Sequence, residues 1–154
     1  MHAIDRRLAD LGIALPEPAA PLAAYVGHVV QGGACTVSGQ LPLEGGKLAV
    51  AGRLGDTVTL EEGVRAARLC TVNLLAQVRA ACGGDWSRLD RCIRLGGFVA
   101  ATPDFTDHPA VINGASQLVA DVLGEAGAHA RAAVGVASLP LGAAVEVEGA
   151  FALL

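Results

Sequence analysis

The chain is poor in aromatic and charged residues, and both shortages bear on what it can bind. Aromatic residues make up 3% of the 154 residues, with a single tryptophan, Trp86, and charged residues make up 17%. The 11 basic residues are scattered and the net charge is -4, so no basic patch is available to a phosphate backbone. We therefore expect no nucleic-acid partner, and we interpret Trp86 as a packing residue instead of a base-stacking one.

Long apolar runs are also missing. Arg, Gln, Asp or Glu interrupts each apolar stretch well before the ~20 residues that a membrane-spanning helix requires. The N-terminal segment MHAIDRRLADLGIAL carries charges where a secretory signal needs a continuous apolar region, which favours a short amphipathic helix. These features predict no membrane partner and a cytoplasmic location.

Motifs that would hold a metal or a nucleotide are not found. The glycine pairs do not form GxGxxG or a P-loop. Neither His108 nor His129 has a serine or cysteine at a recognisable triad spacing, so we expect both to be solvated or bonded within loops. We expect no metal and buried free thiols, because CxxC spacing and paired histidines are lacking around the four cysteines, Cys35, Cys70, Cys82 and Cys92.

Hydrophobic residues, by contrast, make up 53% of the chain. The length predicts one domain over residues 1–154, in which residues 1–20 form a helix and a proline-containing connector. So much apolar surface in a chain of this size suggests that a partner subunit covers part of it. We therefore expect an oligomer.

Turn signals and periodicity predict the order of the elements. Gly32-Gly33 between YVGHVVQ and ACTVSGQLP indicates a β-hairpin, with a bulge or a close backbone approach near Gly39. Segment 43–57 is predicted as loop-rich, with a short strand over 47–51. A capping box at Thr59 and Glu62 starts a helix of about six turns that ends at Gly83-Gly84.

The second half is predicted as a strand, a helix and two strands. Residues 91–101 form the strand, with a kink or bulge at Gly96-Gly97, and TPDFTDHPAVI forms a turn. Helical spacing then extends over 113–125. The complete order predicts an α+β fold with two helices packed on one face of a sheet.

The final block places a cation before two carboxylates. Arg131 stands at the start of one strand, while Glu146 and Glu148 alternate with valines on the next, so one face of that strand is acidic. This pattern allows a ligand site, or a cross-strand ion pair of Arg131 with Glu146 or Glu148 that contributes little if exposed.

Three motifs in this order resemble the Rid/YjgF family, the reactive intermediate deaminases once called endoribonuclease L-PSP. CTVSGQLP is similar to the family's TSGQIP turn, and FVAATPDFTDHPAVINGA is similar to its strand, loop and asparagine-led helix. HARAAVGVASLPLGAAVEVE is similar to its PAR, LP and VEIE signature. The resemblance implies a chorismate-mutase-like fold with a mixed sheet, assembled as a homotrimer whose three clefts lie at the subunit interfaces.

The resemblance also implies an activity, the hydrolysis of small 2-imino or 2-enamino acids to 2-keto acids and ammonia. No cofactor is expected, because a protonated imine is already electrophilic. By this resemblance Arg131 holds the substrate carboxylate and Glu146 orients or deprotonates the attacking water. Further substrate-binding positions are implied at Tyr25, Ser38, Gly39 and Asn113.

Departures from the family pattern keep other functions open. Ala133 stands where deaminating members have a cysteine, and Ala24 stands where a proline precedes the tyrosine. The N-terminal helix and the AGRLGD insertion make the chain a long form. A non-catalytic trimer that binds small carboxylates is therefore the alternative, and an endoribonuclease is a third reading that the scattered charge disfavours.

Overall fold

The computed structural model describes residues 1–21 and 23–154. Its helices are α1 (Ala3–Asp10), α2 (Leu60–Ala81) and α3 (His108–Leu123), and its strands are β1 (His28–Gln31), β2 (Ala34–Gln40), β3 (Leu43–Glu44), β4 (Lys47–Leu48), β5 (Leu89–Ala100), β6 (Ala130–Val136) and β7 (Val145–Leu153). Five strands form one sheet in the order β1-β2-β7-β5-β6. Only the β5–β6 pair is parallel in this sheet. The predicted α+β class is confirmed, with a mixed sheet and three α-helices.

Helix α2 forms where the capping box predicts it. The Thr59 hydroxyl accepts a hydrogen bond from the Glu62 amide at 3.2 Å, and the Glu62 carboxylate accepts one from the Thr59 amide at 2.9 Å. Two otherwise unpaired amides at the helix start are thereby satisfied. The helix runs for 22 residues to Ala81 and is capped by Cys82, before Gly83 with its φ of 67°. The predicted six turns are confirmed.

The core lies between the sheet and the two long helices. Alternate residues of β7 are buried, which places Val145, Val147 and Phe151 against the helices and turns Glu146 and Glu148 to the opposite face. The predicted alternation on this strand is confirmed. All four cysteines are buried and unpaired, as expected. Burial raises the pKa of Cys35 to about 11 and that of Cys92 to about 12, so neither thiol ionises at neutral pH.

Glycines let α3 approach its neighbours closely. A Cβ at Gly97 would lie 2.5 Å from Ile112, and one at Gly114 would lie 2.3 Å from the carbonyl oxygen of Val64. Strand β5 runs regularly through Gly96 and Gly97, and its register shifts lie earlier, between Leu89 and Arg91 and between Cys92 and Arg94. The predicted kink or bulge at Gly96-Gly97 is wrong, because these glycines make room for side chains of neighbouring elements.

Two other boundaries differ from the prediction. Helix α3 begins at His108, five residues before the predicted start at Asn113, because Pro109 is compatible with the first turn of a helix. The strand predicted over 47–51 is shorter and pairs as β4 with β3 in a small hairpin. The bulge predicted near Gly39 is present, between Val37 and Gln40 of β2. Among the described residues, no helix is both long and apolar enough to cross a membrane.

Candidate functional site

The structure divides the predicted site residues between two clusters. The first, which we call the arginine cluster, consists of Arg131, Asn113, Ser116 and His129, where β6 packs against α3. The second, which we call the glutamate cluster, consists of Tyr25, Ser38, Gly39, Gln40 and Glu146, where the bulge of β2 lies beside β7. Each predicted site residue therefore belongs to one of two groups, and the two groups have different surroundings.

Arg131 is held from the side of helix α3. Its Nη1 donates to the Asn113 Oδ1 at 2.8 Å and to the Ser116 Oγ at 3.1 Å. Its Nη2 lies 3.5 Å from the carbonyl oxygen of Pro109. No salt bridge involves Arg131 among the residues described, so its charge is neutralised by no carboxylate of its own chain.

Two members of the arginine cluster are not found by the sequence argument. The Ser116 Oγ lies 2.8 Å from the Nε2 of His129, whose Nδ1 lies 2.6 Å from the carbonyl oxygen of Gly127. His129 is thus bonded to its loop, as expected, but its pairing with Ser116 is not predicted. The signal was the spacing of Asn113 and Ser116, which share one face of a helix.

Glu146 lies beside the bulge of β2. Between Val37 and Gln40 the bulge places Ser38 and Gly39 opposite a single residue of β7. A Cβ at Gly39 would lie 2.8 Å from the Glu146 carboxyl carbon, so a glycine is required for this close approach. Burial, and to a smaller extent the charge of Glu148, raises the pKa of Glu146 above its ordinary value.

The other members of the glutamate cluster border a cavity beside Glu146. Its volume is about 70 Å³, and its walls include Tyr25, Ser38, Gly39, Gln40 and Glu146. The Ser38 hydroxyl donates to the carbonyl oxygen of Val26 at 2.6 Å, which ties the bulge to the segment that carries Tyr25. Tyr25 is 49% exposed. Gln40, which is buried and donates to the carbonyl oxygen of Ser38, was not among the predicted site residues.

The two clusters do not meet within one chain. Strand β5 lies between β6 and β7, so the predicted alternative of a cross-strand ion pair between Arg131 and Glu146 or Glu148 is wrong. Arg131 points toward α3, whereas Glu146 points to the sheet face that carries no helix. An anion bound at Arg131 and a proton acceptor at Glu146 are therefore separated by the sheet itself.

Other parts of the molecule offer less chemistry. A larger cavity, about 610 Å³, lies between the segment after α1, the β3–β4 hairpin and α2, and contains no residue of either cluster. Residues 1–21 and 23–154 contain no group of three or more His, Cys, Asp or Glu side chains that could hold a metal ion. The paired clusters therefore remain the candidate site.

The comparisons with known proteins identify the family. A family model described as "YjgF/chorismate mutase-like, putative endoribonuclease" matches residues 5–152. Because this match spans nearly the whole chain, the protein belongs to the YjgF family, as the sequence motifs indicated.

Similar proteins share the N-terminal extension as well. The solved structure of Atu1372 from Agrobacterium tumefaciens, of unknown function, is 51% identical, with a TM-score of 0.93 over 99% of this chain and 93% of that one. A "putative endoribonuclease" from Shewanella oneidensis is 36% identical, with a TM-score of 0.95 over 99% of this chain and 100% of that one. Protein TCP17 of Trypanosoma cruzi is 47% identical over 146 residues, 94% of this chain and 91% of TCP17. The coverage of both structures includes α1 and its connector.

Proposed function

We propose that this protein is a hydrolase that converts small 2-imino or 2-enamino acids to 2-keto acids and ammonia. The observation that carries the proposal is the environment of Arg131, whose guanidinium is fixed by neutral oxygens and has no carboxylate partner among the described residues. A cation arranged in this way is available to a ligand carboxylate, which a planar guanidinium can bind through two oxygens.

Glu146 supplies the proton chemistry in this proposal. Water adds to C2 of the protonated imine while Glu146 accepts a proton from it, and Glu146 then returns this proton to the nitrogen of the resulting carbinolamine. The C2–N bond breaks with its electron pair leaving on ammonia, the C2 hydroxyl gives its proton to Glu146 as the keto group forms, and the released ammonia takes up that proton. The net reaction consumes one water and leaves a 2-keto acid and an ammonium ion. The raised pKa of Glu146 supports the assignment, because a carboxylate of higher pKa is a stronger proton acceptor.

We further propose that the site is completed by assembly, as a homotrimer in which Arg131 of one copy faces Glu146 of the next. The placement of the two clusters on opposite sides of one sheet supports this arrangement, because a single chain cannot bring them to one ligand. Apolar side chains on the sheet face without helices also support it, since Val29 and Val134 are 55% and 45% exposed.

The test follows keto-acid release from 2-iminopropanoate generated in situ. We expect Arg131→Ala to lower kcat/KM by ~100-fold or more, because it removes the charged partner of the carboxylate. Arg53→Ala is the matched control, since Arg53 is an exposed arginine that pairs with Asp56 at 3.7 Å. Wild type and Arg131→Ala releasing pyruvate at the same background rate would refute the deaminase.

A second candidate is a trimer that binds small carboxylates without turning them over. The observation that favours it is Ala133, which lies two residues after Arg131 on β6, packs against the core and adds no polar or nucleophilic group. Calorimetry with a panel of 2-keto acids separates the candidates, because binding without turnover supports this one. An Arg131-dependent cleavage of RNA would instead support the activity named in the family description.

A further inference from the structure

The hydrogen bonds that link Arg131 to Ser116, His129 and Gly127 all have the same donor-to-acceptor direction. The carbonyl oxygen of Gly127 can only accept, so when the His129 ring carries a single proton, that proton is on Nδ1, 2.6 Å away. The Nε2 of that ring is then an acceptor, and the Ser116 hydroxyl donates to it at 2.8 Å. With its hydrogen committed to His129, the Ser116 Oγ presents a lone pair to Arg131 Nη1 at 3.1 Å. The order is therefore Arg131 to Ser116 to His129 to Gly127.

This arrangement decides which edge of the guanidinium is free. Nη1 has two hydrogens, and the Asn113 Oδ1 and the Ser116 Oγ accept both. Nη2 has one long contact, 3.5 Å, to the carbonyl oxygen of Pro109, and Nε makes no hydrogen bond within the described part of the chain. A carboxylate that binds through both oxygens therefore fits the Nε–Nη2 edge, since that edge keeps parallel N–H donors.

We propose that Ser116 and His129 are positioning residues that fix the guanidinium of Arg131 with its Nε–Nη2 edge turned to the ligand carboxylate. The inference rests on the proposed function, because it assigns a ligand to Arg131. Neither side chain touches the reacting atoms. Their contribution is to restrict the rotamers of a long, flexible arginine that would otherwise lose side-chain entropy when the ligand binds.

Positioning of this kind has a kinetic signature. The bond between Arg131 and the carboxylate exists both before and during water attack. A more mobile Arg131 should therefore weaken the binding of the substrate and of the transition state equally. We expect Ser116→Ala to raise the KM for 2-iminopropanoate ~10-fold and to change kcat less than ~2-fold. Calorimetry with pyruvate should show a parallel ~10-fold rise in Kd, which needs no turnover.

His129 allows a conservative rescue. His129→Phe keeps a ring but removes the acceptor for Ser116, and we expect it to raise KM about as much as Ser116→Ala does. His129→Gln places an amide oxygen near the former Nε2, and we expect it to restore most of the wild-type KM. Adding Ser116→Ala to His129→Phe should have little further effect, because both changes break the same series of bonds.

The control is Gln117→Ala, on the next residue of α3, whose side chain is exposed and, within residues 1–21 and 23–154, bonds only Asp121 on the helix surface. Circular dichroism checks that each variant is folded, and the ¹⁵N shifts of His129 report whether Nδ1 carries the proton. Wild-type KM and Kd in both Ser116→Ala and His129→Phe, with Arg131→Ala still defective, would overturn only the positioning role. A wild type that neither binds pyruvate nor hydrolyses the imine would overturn the proposed function and this inference together.

Discussion

The arginine cluster and the glutamate cluster both present a half-buried charged group, but different interactions hold the two groups. Arg131 is fixed by the hydrogen bonds that it donates to Asn113 and Ser116, side chains of a helix. Glu146 lies against a strand bulge where Gly39 has no side chain, and its surroundings raise its pKa. Changes in the first cluster should therefore act on binding, and changes in the second should act on proton transfer.

The largest expected effect comes from mixing two inactive variants, one altered in each cluster. Arg131→Ala and Glu146→Gln chains, unfolded and refolded together, should regain about a quarter of wild-type activity if each site combines residues of two copies that assemble at random. Each variant refolded alone is the control and should stay near background. A mixture no more active than its components would contradict a site shared between copies.

Glu146→Gln alone should change activity and stability at neutral pH in opposite directions. We expect kcat to fall ~100-fold, within the usual range for loss of a general base. Because the pKa of Glu146 is raised in the folded state, that state binds more protons than the unfolded chain between the two pKa values, so this group's contribution to stability falls as pH rises.

Thermal unfolding over a pH series checks this sign. Glu146→Gln should melt above wild type at neutral pH, and the difference should shrink as pH falls through the raised pKa. In wild type, kcat should decline over the same interval, since protonated Glu146 cannot accept a proton from water. A variant that is less stable than wild type at neutral pH would show that the Glu146 carboxylate stabilises the fold.

A smaller effect is expected from Gly39→Ala. The added Cβ would lie 2.8 Å from the Glu146 carboxyl carbon, which is the far end of a flexible side chain, so the carboxylate should move while the strands stay in place. We expect kcat to fall ~10-fold with little change in melting temperature. The same substitution in the Glu146→Gln background should leave kcat unchanged, and a further loss there would point to damage beyond Glu146.

The smallest expected effect comes from Thr59→Ala, which tests whether a loss of stability alone changes activity. Thr59→Ala removes the capping hydrogen bond at the start of α2, away from both clusters, and should cost about 1 kcal/mol of unfolding free energy. For a chain of this size the melting temperature should drop by ~2–4 °C, with kcat/KM unchanged. Thr59→Ser should behave as wild type. A change in KM would show that α2 and the clusters are coupled.

The sequence predicted elements wherever a local pattern decides them. The capping box at Thr59, the Gly32-Gly33 hairpin and the alternation on β7 are confirmed, because each depends on residues a few positions apart. The predicted start of α3 is wrong because Pro109 lies in the first turn of the helix, and the predicted bulge at Gly96-Gly97 is wrong because contact with another element explains the glycines. The helix start is a local feature that a proline allows, whereas the close approach of Gly97 to Ile112 depends on a neighbour distant in sequence.

The same division applies to the site. The motifs around Arg131, Asn113 and Glu146 selected the chemical groups, since a cation, an amide and a carboxylate can be recognised in one dimension. Only the tertiary structure placed β5 between β6 and β7, set Arg131 and Glu146 on opposite faces, and joined Ser116 to His129 across 13 residues. Strand order and helix docking follow from long-range pairing and packing, which a local pattern does not encode.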